Sequence, residues 1–391
     1  MSFSDSVVQR PEPTPAGDLM RQYTIDDYFL DRAIDLAWLG AGRTHPNPLV
    51  GAIVVNDGHI VSVGYHQRYG EAHAETIALE RAGEAARGST LYVTLEPCAH
   101  HGNTPPCVET VLKSGVRRVV IPTLDPDDRV YGRGVAILRD DGVDVDVGRR
   151  CERAMLLNLA YFKRVLGLGV AVTLKMAVTL DGRIASRAGS RDQITGTDSL
   201  RFVHRLRAVN DAVLVGINTV VVDSPRLDCR LIDTEATPVA VVLDSRLRFP
   251  ETSPMQAGDR TVVVVTAETA DEDSVVALRQ SGVRVVKCGS DGGRVDVKAA
   301  VAELAAQGIA SCLVEGGGEV FSSFTQARLW DGMHVFVSPM TFGNEGVALS
   351  EQAFDRSQIG AVHAGASAGA GDVLMSFVNE KTRDTLLKHL L

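Results

Sequence analysis

The feature that most limits what this chain can fold into is a set of three metal-ligand side chains in short, separate motifs. They are His73 in His-Ala-Glu, Cys98 in Glu-Pro-Cys and Cys107 in Pro-Pro-Cys. One imidazole and two thiolates can bind a tetrahedral zinc ion and leave its fourth position for water. Glu75, two residues after the histidine, could move protons to and from that water. The fold must therefore bring three separate segments of chain to one point.

The spacing indicates how local structure could achieve this. Residues two apart point to different sides of a helix, so His73 and Glu75 converge only if His73 lies at the very start of a helix. Pro106 predicts in the same way that a helix begins at Cys107. The dipole of that helix would lower the pKa of the Cys107 thiol and favour the thiolate that a metal needs. His-x-Glu followed by Pro-Cys and a second Cys is the signature of zinc deaminases.

A structural zinc site is the alternative reading of the same residues. Such a site closes its coordination with a fourth protein ligand, whereas a catalytic site keeps one position open. His100 and His101 follow Cys98 closely and are the candidates for that fourth ligand.

Length, charge and cysteine content narrow the class of protein. A chain of 391 residues predicts two domains. Residues 1–21 are polar, without the apolar run of a secretory signal, and are predicted to be a disordered lead-in. No stretch of 18 or more apolar residues predicts a membrane span, and a net charge of −9 gives no reason to expect nucleic-acid binding. The six cysteines predict reduced thiols in a cytoplasmic protein, four of them small buried hydrophobes.

Hydrophobic periodicity predicts an α/β domain over residues 22–166. The predicted elements are a helix at 23–40, a hairpin of strands 52–55 and 60–63, a helix at 75–86, a strand at 90–95, a helix at 108–114, a strand at 118–121, a third helix and a strand at 143–147. Alternating strands and helices favour a three-layer α/β/α sandwich. One helix at 151–165 is predicted to carry the chain across to a second domain that begins near Gly167.

The second domain, residues 167–391, is predicted to be a largely parallel sheet covered by helices. Its predicted strands are 172–178, 212–215, 239–243, 262–265, 283–286, 312–314, 335–337 and 373–377, with a helix at 199–208. Residues 361–371 are low in complexity and predict a mobile loop, and 380–391 predict a terminal helix. Glu315-Gly316-Gly317-Gly318 follows a buried strand, where glycines would let backbone N–H groups approach a phosphate. No Gly-x-Gly-x-x-Gly opens a βαβ unit, which disfavours a Rossmann fold.

The motifs of the first domain resemble one family in particular. Thr44-His-Pro-Asn-Pro-Leu-Val-Gly51, His73-Ala-Glu75 and the run from Glu96 to Cys107 are similar to the deaminase half of the bifunctional riboflavin-biosynthesis deaminase/reductases. Eight residues separate the two cysteines, whereas many nucleic-acid deaminases have two. The resemblance implies that His73, Cys98 and Cys107 bind Zn²⁺ and that Glu75 is the proton shuttle. It also implies that the substrate, a phosphorylated pyrimidine, contacts Asn47, His66 and His100.

The second domain resembles the reductase half of the same family. The resemblance rests on Leu174-Lys-Met-Ala177, Ile194-Thr-Gly196, Asp211 to Gly216, Asp223 to Arg230 and Val314 to Gly317, and it implies a dihydrofolate-reductase-like α/β fold that uses NADPH. The residues implied to contact NADPH are Ala177, Thr195, Thr219, Asp223, Gly317 and Gly318. Those implied to contact the substrate are Arg207, Leu227, Arg230 and Glu315, with Lys175 as a catalytic-site residue.

The chain departs from the family pattern in two places. Asp125-Pro-Asp-Asp128 stands where the family has Asp-Pro-Asn-Pro, and Arg191 and Gln193 stand where the family has Ser and Trp. From the two resemblances we expect a two-domain enzyme, with a homo-oligomer as a candidate assembly, and three alternatives stay open. These are a nucleic-acid deaminase, a deaminase whose second domain only binds ligand or oligomerises, and a scaffold with structural zinc.

Overall fold

Two β-sheets organise the protein, one in each half of the chain. The structure is a computed structural model and describes residues 23–101, 105–350, 359–369 and 371–391. The predicted lead-in at 1–21 lies outside the described residues. Strands 51–147 form a five-stranded sheet and strands 171–379 a nine-stranded one. In the described part of the chain no helix combines the length and apolarity needed to cross a membrane.

The helices are numbered in chain order. They are α1 Ile25–Ala37, α2 Ala74–Ala82, α3 Cys107–Ser114, α4 Arg133–Asp140, α5 Cys151–Leu157, α6 Leu159–Val165, α7 Thr197–Ala208, α8 Ile217–Asp223, α9 Glu272–Gln280, α10 Val297–Ala306, α11 Gly318–Gln326 and α12 Glu380–Leu390. The strands are β1 Gly51–Asn56, β2 His59–Tyr65, β3 Thr90–Val93, β4 Arg118–Ile121, β5 Asp144–Val147, β6 Ala171–Thr179, β7 Arg183–Ala185, β8 Ala212–Gly216, β9 Val239–Leu243, β10 Val262–Ala267, β11 Arg284–Cys288, β12 Ser290–Asp291, β13 Arg294–Val295, β14 Ser311–Val314, β15 Gly332–Ser338, β16 Val347–Ala348, β17 Ala361–Gly369 and β18 Asp372–Asn379.

The first sheet confirms the predicted three-layer sandwich. Its order is β2-β1-β3-β4-β5, with an antiparallel hairpin followed by parallel strands. Alternate residues of β1 point to opposite faces, so Ile53 packs under α1 while Val54 packs under α2 to α4. Both faces are therefore covered, and the ends of the strands are left for the site.

The predicted single helix at 151–165 is wrong, because the chain breaks at Asn158 into α5 and α6. The Asn158 side chain leaves the helix pattern and pairs with the backbone of a distant loop. Its Oδ1 accepts the N–H of Leu49 at 2.8 Å, and its Nδ2 donates to the Leu49 carbonyl at 2.9 Å. Asparagine competes well for backbone partners, which explains a break at this residue. These two hydrogen bonds hold the loop that carries Asn47.

The second sheet confirms the largely parallel prediction. Its order is β11-β10-β9-β8-β14-β6-β15-β18-β17, and only the β15–β18 and β18–β17 pairs are antiparallel. Buried valines, leucines and isoleucines cover both faces beneath the helices. Because β6, β8, β9 and β14 are parallel, their carboxyl ends meet at one edge, where ligands of such sheets bind.

The predicted mobile loop at 361–371 is wrong over most of its length, because Ala361–Gly369 forms the edge strand β17; Ala370 lies outside the described residues. The strand pairs with β18 through a bulge between His363 and Gly365. A Cβ added to Gly365 would lie 3.1 Å from the side chain of Arg153 on α5. Small residues in this segment therefore allow a helix to approach closely, and their low complexity does not imply mobility.

The two halves are joined by the final helix and by one buried ion pair. Leu386 and Leu390 of α12 pack with Met155 and Phe162 of the crossing helices. The Lys163 ammonium lies 2.7 Å from an oxygen of Asp331, and that oxygen also accepts the Val172 N–H. The predicted terminal helix is thus confirmed.

Candidate active sites

The three metal-ligand side chains of the first domain converge at one end of its sheet. His73 is the N-cap residue of α2, and Cys107 is the first residue of α3 after Pro106, as the spacing predicts. The His73 Nδ1 atom lies 3.1 Å from the Cys107 sulfur and 3.5 Å from the Cys98 sulfur. Their ligand atoms all lie within 4.8 Å of one another, and no other such group occurs among the residues that the structure describes.

The two thiols do not titrate as the helix-dipole argument predicts. The hydrogen bond from the Cys107 thiol lowers the pKa of Cys98 well below its usual value, with further help from His73 and the Cys107 N–H. The pKa of Cys107 is raised, first by that same hydrogen bond and then by burial. The prediction for Cys107 is therefore wrong for the thiol pair alone, because the hydrogen bond with Cys98 and burial disfavour the Cys107 thiolate and raise its pKa.

Glu75 lies beside this group and is 3% exposed. Burial raises the pKa of its carboxyl to about 7, against the opposite effect of His73. Its Oε2 atom has no hydrogen-bond partner among the described residues. An unpartnered, buried carboxylate oxygen is costly unless a ligand completes the site. One imidazole, two thiols and this oxygen fit a zinc ion and a small polar ligand.

Asn47 and His66 continue the site on the substrate side. Asn47 Nδ2 lies 3.2 Å from His66 Nε2, and His66 Nδ1 lies 3.2 Å from the Ala72 carbonyl. The carbonyl must accept, so we assign the proton to Nδ1 and the acceptor role to Nε2. Burial lowers the pKa of His66, which favours this neutral form. The His66 ring packs edge-on against His73, with ring centroids 5.3 Å apart.

The two other histidines do not close the metal site. His100 has a buried Nδ1 without a hydrogen-bond partner in the described part of the chain. The exposed His101 ring points instead to Glu109, at 3.8 Å. Residues 102–104 of the same loop lie outside the described residues. Among the described residues the group therefore has three protein ligands and no fourth, which disfavours the structural-zinc alternative.

Glu96 supports the site in a way that sequence reasoning missed. Its Oε2 accepts the N–H groups of Asp125 at 3.2 Å and Gly132 at 2.9 Å, and its Oε1 accepts that of Val135 at 3.1 Å. A Cβ added to Gly134 would lie 2.1 Å from the Pro97 carbonyl oxygen. The Gly-Arg-Gly segment thus begins α4 directly against the Glu-Pro-Cys motif. The loop that departs from the family pattern is held by its backbone N–H groups on Glu96 and by the Asp125 carboxylate, which accepts the Tyr161 hydroxyl and the Asp127 N–H.

A cavity of about 1230 Å³ lies over the carboxyl ends of β6, β8, β9 and β14 in the second domain. Most of the predicted reductase residues line it: Lys175, Ala177, Thr195, Thr219, Asp223, Arg230, Glu315, Gly317 and Gly318. The two departures, Arg191 and Gln193, lie on the same wall. A Cβ on Gly317 would meet nothing within 4 Å. The first turn of α11 is therefore open to a phosphate group of a nucleotide.

A buried charge cluster borders this cavity. Arg207 Nε and Nη2 donate to the two oxygens of Glu315 at 2.6 and 3.0 Å. Burial alone would raise the pKa of Glu315, but Arg207 reverses the shift and lowers it. Burial lowers the pKa of the Lys175 ammonium, although Glu315 opposes this shift. The cluster presents a fixed carboxylate and a readily deprotonated amine to a substrate.

Two predicted substrate residues do not line the cavity. Arg207 reaches it only through Glu315. The Leu227 side chain packs in an apolar cluster, and its carbonyl accepts a hydrogen bond from Arg260 at 2.6 Å. Leu227 has a φ of 52°, so its conformation shapes the loop towards Arg230.

Comparisons with known proteins match both halves of the chain. The cytidine and deoxycytidylate deaminase zinc-binding region matches residues 23–123, and the RibD C-terminal domain matches residues 170–366. The riboflavin biosynthesis protein RibD of Aquifex aeolicus is 40% identical over 84% of this chain and 90% of its own length. That of Escherichia coli is 37% identical over 83% of this chain and 90% of its own length.

Solved structures match most of the chain. A diaminohydroxyphosphoribosylaminopyrimidine deaminase/5-amino-6-(5-phosphoribosylamino)uracil reductase from Thermotoga maritima is 36% identical, with a TM-score of 0.63. The match covers 91% of this chain and 99% of that one. Acinetobacter baumannii RibD is 33% identical, with a TM-score of 0.62 and the same coverage.

Proposed function

The chain belongs to the RibD family of riboflavin-biosynthesis proteins, and from this premise we propose how its residues divide the family's two reactions. The protein is a bifunctional enzyme of riboflavin biosynthesis, a hydrolytic deaminase and a reductase. We infer that its substrates are those in the name of the Thermotoga relative, a phosphoribosylaminopyrimidine and its deaminated uracil product. Both are small phosphorylated molecules.

His73, Cys98 and Cys107 would hold a zinc ion at the deaminase site, and the chain supplies the remaining groups. When bound, zinc acts as a Lewis acid that lowers the pKa of a water molecule at its open position. Glu75 Oε2 is buried beside these ligand residues and would hold the proton that moves between the attacking water and the leaving group. It would give that proton to the exocyclic amine as the carbon–nitrogen bond breaks, so that ammonia leaves and the oxygen of the water stays on the ring.

Asn47 and His66 position the pyrimidine. The Asn47 amide is oriented by its hydrogen bond to His66, and His66 is oriented by the Ala72 carbonyl. This chain of hydrogen bonds fixes which polar edge Asn47 presents to the ring. His100, whose Nδ1 is unpartnered among the described residues, supplies a further contact to the phosphorylated arm.

The reductase residues would hold NADPH along the open edge of the second sheet. When bound, the nicotinamide supplies the hydride. Ala177, Thr195 and Thr219 lie along the cavity, and the turn at Gly317 receives a phosphate. Arg230 binds the substrate phosphate, while Lys175 donates a proton to the sugar oxygen as the ring opens. The lowered pKa of Lys175 makes its ammonium a better acid than an exposed lysine.

The rival hypotheses are less well supported. Deaminase activity alone, with an inactive second domain, is not favoured, because the RibD C-terminal domain matches and its cavity contains most of the predicted residues. Arg191 and Gln193 replace the family residues without closing the cavity. A nucleic-acid deaminase is disfavoured by the family and by the net charge of −9. A cytoplasmic location and a homo-oligomer stay predictions.

The observation that carries the deaminase proposal is the unpartnered oxygen of Glu75 beside three metal-ligand atoms. A coupled assay follows ammonia release and NADPH absorbance with the diaminopyrimidinone phosphate as substrate. Glu75→Gln should abolish ammonia release yet retain bound zinc and the reduction of deaminated substrate. Glu80→Gln, an exposed change on the same helix, is the matched control and should leave both signals intact. Ammonia release at the wild-type rate from Glu75→Gln would disprove the proton-shuttle role.

A further inference from the structure

We propose that Asp372 is a positioning residue for the nucleotide cavity of the reductase, acting from a hairpin at the far edge of the sheet. The residue lies beyond the part of the chain that matches the RibD C-terminal domain, residues 170–366. It does not line the nucleotide cavity and instead holds the helix that bounds it. The inference rests on the proposed function in one respect, namely that this cavity binds NADPH.

The contact itself is a helix cap supplied from another element. Helix α7 has Gly196 as its N-cap residue, which has no side chain to accept the free N–H groups of the first turn. Asp372 Oδ2 accepts the Gly196 N–H at 2.7 Å and the Ser199 hydroxyl at 2.6 Å. Asp372 is 6% exposed. A buried carboxylate at a helix N-terminus combines charge-assisted hydrogen bonds with a favourable dipole interaction.

Helix α7 borders the cavity directly at its first turns and contacts it through Glu315 at its last turn. Thr195 directly precedes the capped Gly196, and Leu200 lines the cavity from the first turns. Arg207 in the last turn makes the bidentate pair with Glu315. Because a helix moves as a rigid unit, a shift at its N-terminus would change the cavity wall at Thr195 and strain the pair at Arg207.

The β17–β18 hairpin places Asp372 near the ends of β15 and β6, and β6 carries Ala177 on the sheet side of the cavity. Val373 pairs with Val337 of β15, and Val337 pairs with Val178 of β6. Asp372 therefore lies one residue before the row that contains Val178, the chain neighbour of Ala177. The carboxylate fixes the distance between Ala177 on the sheet and Thr195 on the helix loop, the two sides between which the nucleotide must fit.

Two variants of Asp372 and one matched control test this role. Asp372→Ala removes the acceptor, whereas Asp372→Asn keeps an oxygen for the two donors and loses only the charge. Asp271 caps α9 as its own N-cap residue, accepting the Ser274 N–H at 2.9 Å and the Ser274 hydroxyl at 2.8 Å. Since α9 does not line the cavity, Asp271→Ala controls for the loss of a cap elsewhere in the same domain.

Two measurements on the full chain separate the inference from the proposed function. Hydrogen exchange of the segment 190–200, without added nucleotide, reports whether Asp372 holds the segment. The dissociation constant of NADPH, from fluorescence titration, reports whether holding it matters for the nucleotide. Zinc content and ammonia release show that each variant is folded in its first domain.

The expected result for Asp372→Ala is faster exchange at 190–200, with NADPH binding weakened by roughly tenfold or more. Asp372→Asn should keep both the exchange rate at 190–200 and the affinity for NADPH close to the wild-type values. Asp271→Ala should speed exchange only around α9. Unchanged exchange at 190–200 in Asp372→Ala would overturn the inference, as would equal NADPH binding in Asp372→Ala and wild type. Wild type that protects 190–200 but binds no NADPH would overturn the proposed cofactor and leave the anchoring role of Asp372 established.

Discussion

Replacement of Glu96 tests how the deaminase loop is held. In wild type the buried Glu96 carboxylate accepts three backbone N–H groups, two of which, from Asp125 and Val135, are themselves buried. Glu96→Ala removes all three acceptors at once. Glu96→Gln keeps one acceptor oxygen, but its NH₂ group must face at least one of the three donors.

The structure allows the magnitude to be worked out. A buried N–H group left without an acceptor costs about 1–3 kcal/mol. Water can enter beside Gly132, whose N–H is only partly buried, so we count two full losses. The free energy that holds the loop should fall by about 2–6 kcal/mol in Glu96→Ala. In Glu96→Gln, which loses one or two bonds, we expect roughly half of that.

Deaminase kinetics and hydrogen exchange of residues 122–135 check this prediction. The value of kcat/KM for ammonia release should fall at least about tenfold in Glu96→Ala, exchange at 122–135 should rise, and zinc content and NADPH oxidation should stay at wild-type levels. Glu109→Gln is the control, because its half-exposed carboxylate contacts only the exposed side chains of Lys113 and His101 among the described residues, and its loss should cost under about 0.5 kcal/mol. If activity falls only in proportion to lost zinc, Glu96 supports the metal ligands and our reasoning about the loop is refuted.

Three further predictions concern pH, the domain junction and the metal. Burial lowers the pKa of His334 to about 4, so between about pH 6.5 and 4 the unfolded chain binds a proton that the folded chain does not. The free energy of unfolding should therefore fall by about 2 kcal/mol as the pH drops from about 7.5 to about 5. Urea unfolding midpoints measured at both pH values should show a smaller loss in His334→Gln than in wild type. Lys163→Met removes the cation beside the buried Asp331, which keeps only the Val172 N–H and the Thr382 hydroxyl as donors. Thermal unfolding should show that the free energy of unfolding falls by about 3 kcal/mol, and adding Asp331→Asn should recover part of this loss. Chelation of zinc should stop ammonia release and spare NADPH oxidation with deaminated substrate, whereas loss of both signals would show that the domains depend on one metal.

The parts of the fold and site that sequence predicts are those with local or chemically rare signals. His73 at a helix start follows from the i, i+2 spacing of His73 and Glu75, and Cys107 at a helix start follows from Pro106. Strands such as β10 are continuous valine runs that only a doubly covered sheet accommodates. A histidine and two cysteines in short, separate motifs are typical of a metal site, so their positions in the sequence predict such a site without a structure.

The parts that sequence does not predict depend on partners far away in the chain. Asn158 breaks a helix because its amide finds Leu49, 109 residues earlier. Helical periodicity reports only neighbours within one or two turns, so it continued the helix through this residue. The edge strand β17 was missed for a related reason, since its stability comes from pairing with β18 and from the approach of Arg153 to Gly365, and not from its own β-propensity.

Glu96, Asn158 and Asp372 form one class, and the class explains why they were missed. Each is a buried polar side chain whose partners include backbone N–H groups of a loop 29 to 176 residues distant. Every residue except proline has a backbone N–H group, so the sequence does not indicate which N–H group a buried side chain will bind. Each nevertheless adjoins a segment that bears site residues, because loops cannot hold a site without such anchors. Asp244, fully buried directly after β9, makes a short-range contact of the same chemical kind on the cavity wall. Its carboxylate accepts the Phe249 N–H at 2.7 Å, five residues away, and should hold the loop 244–249.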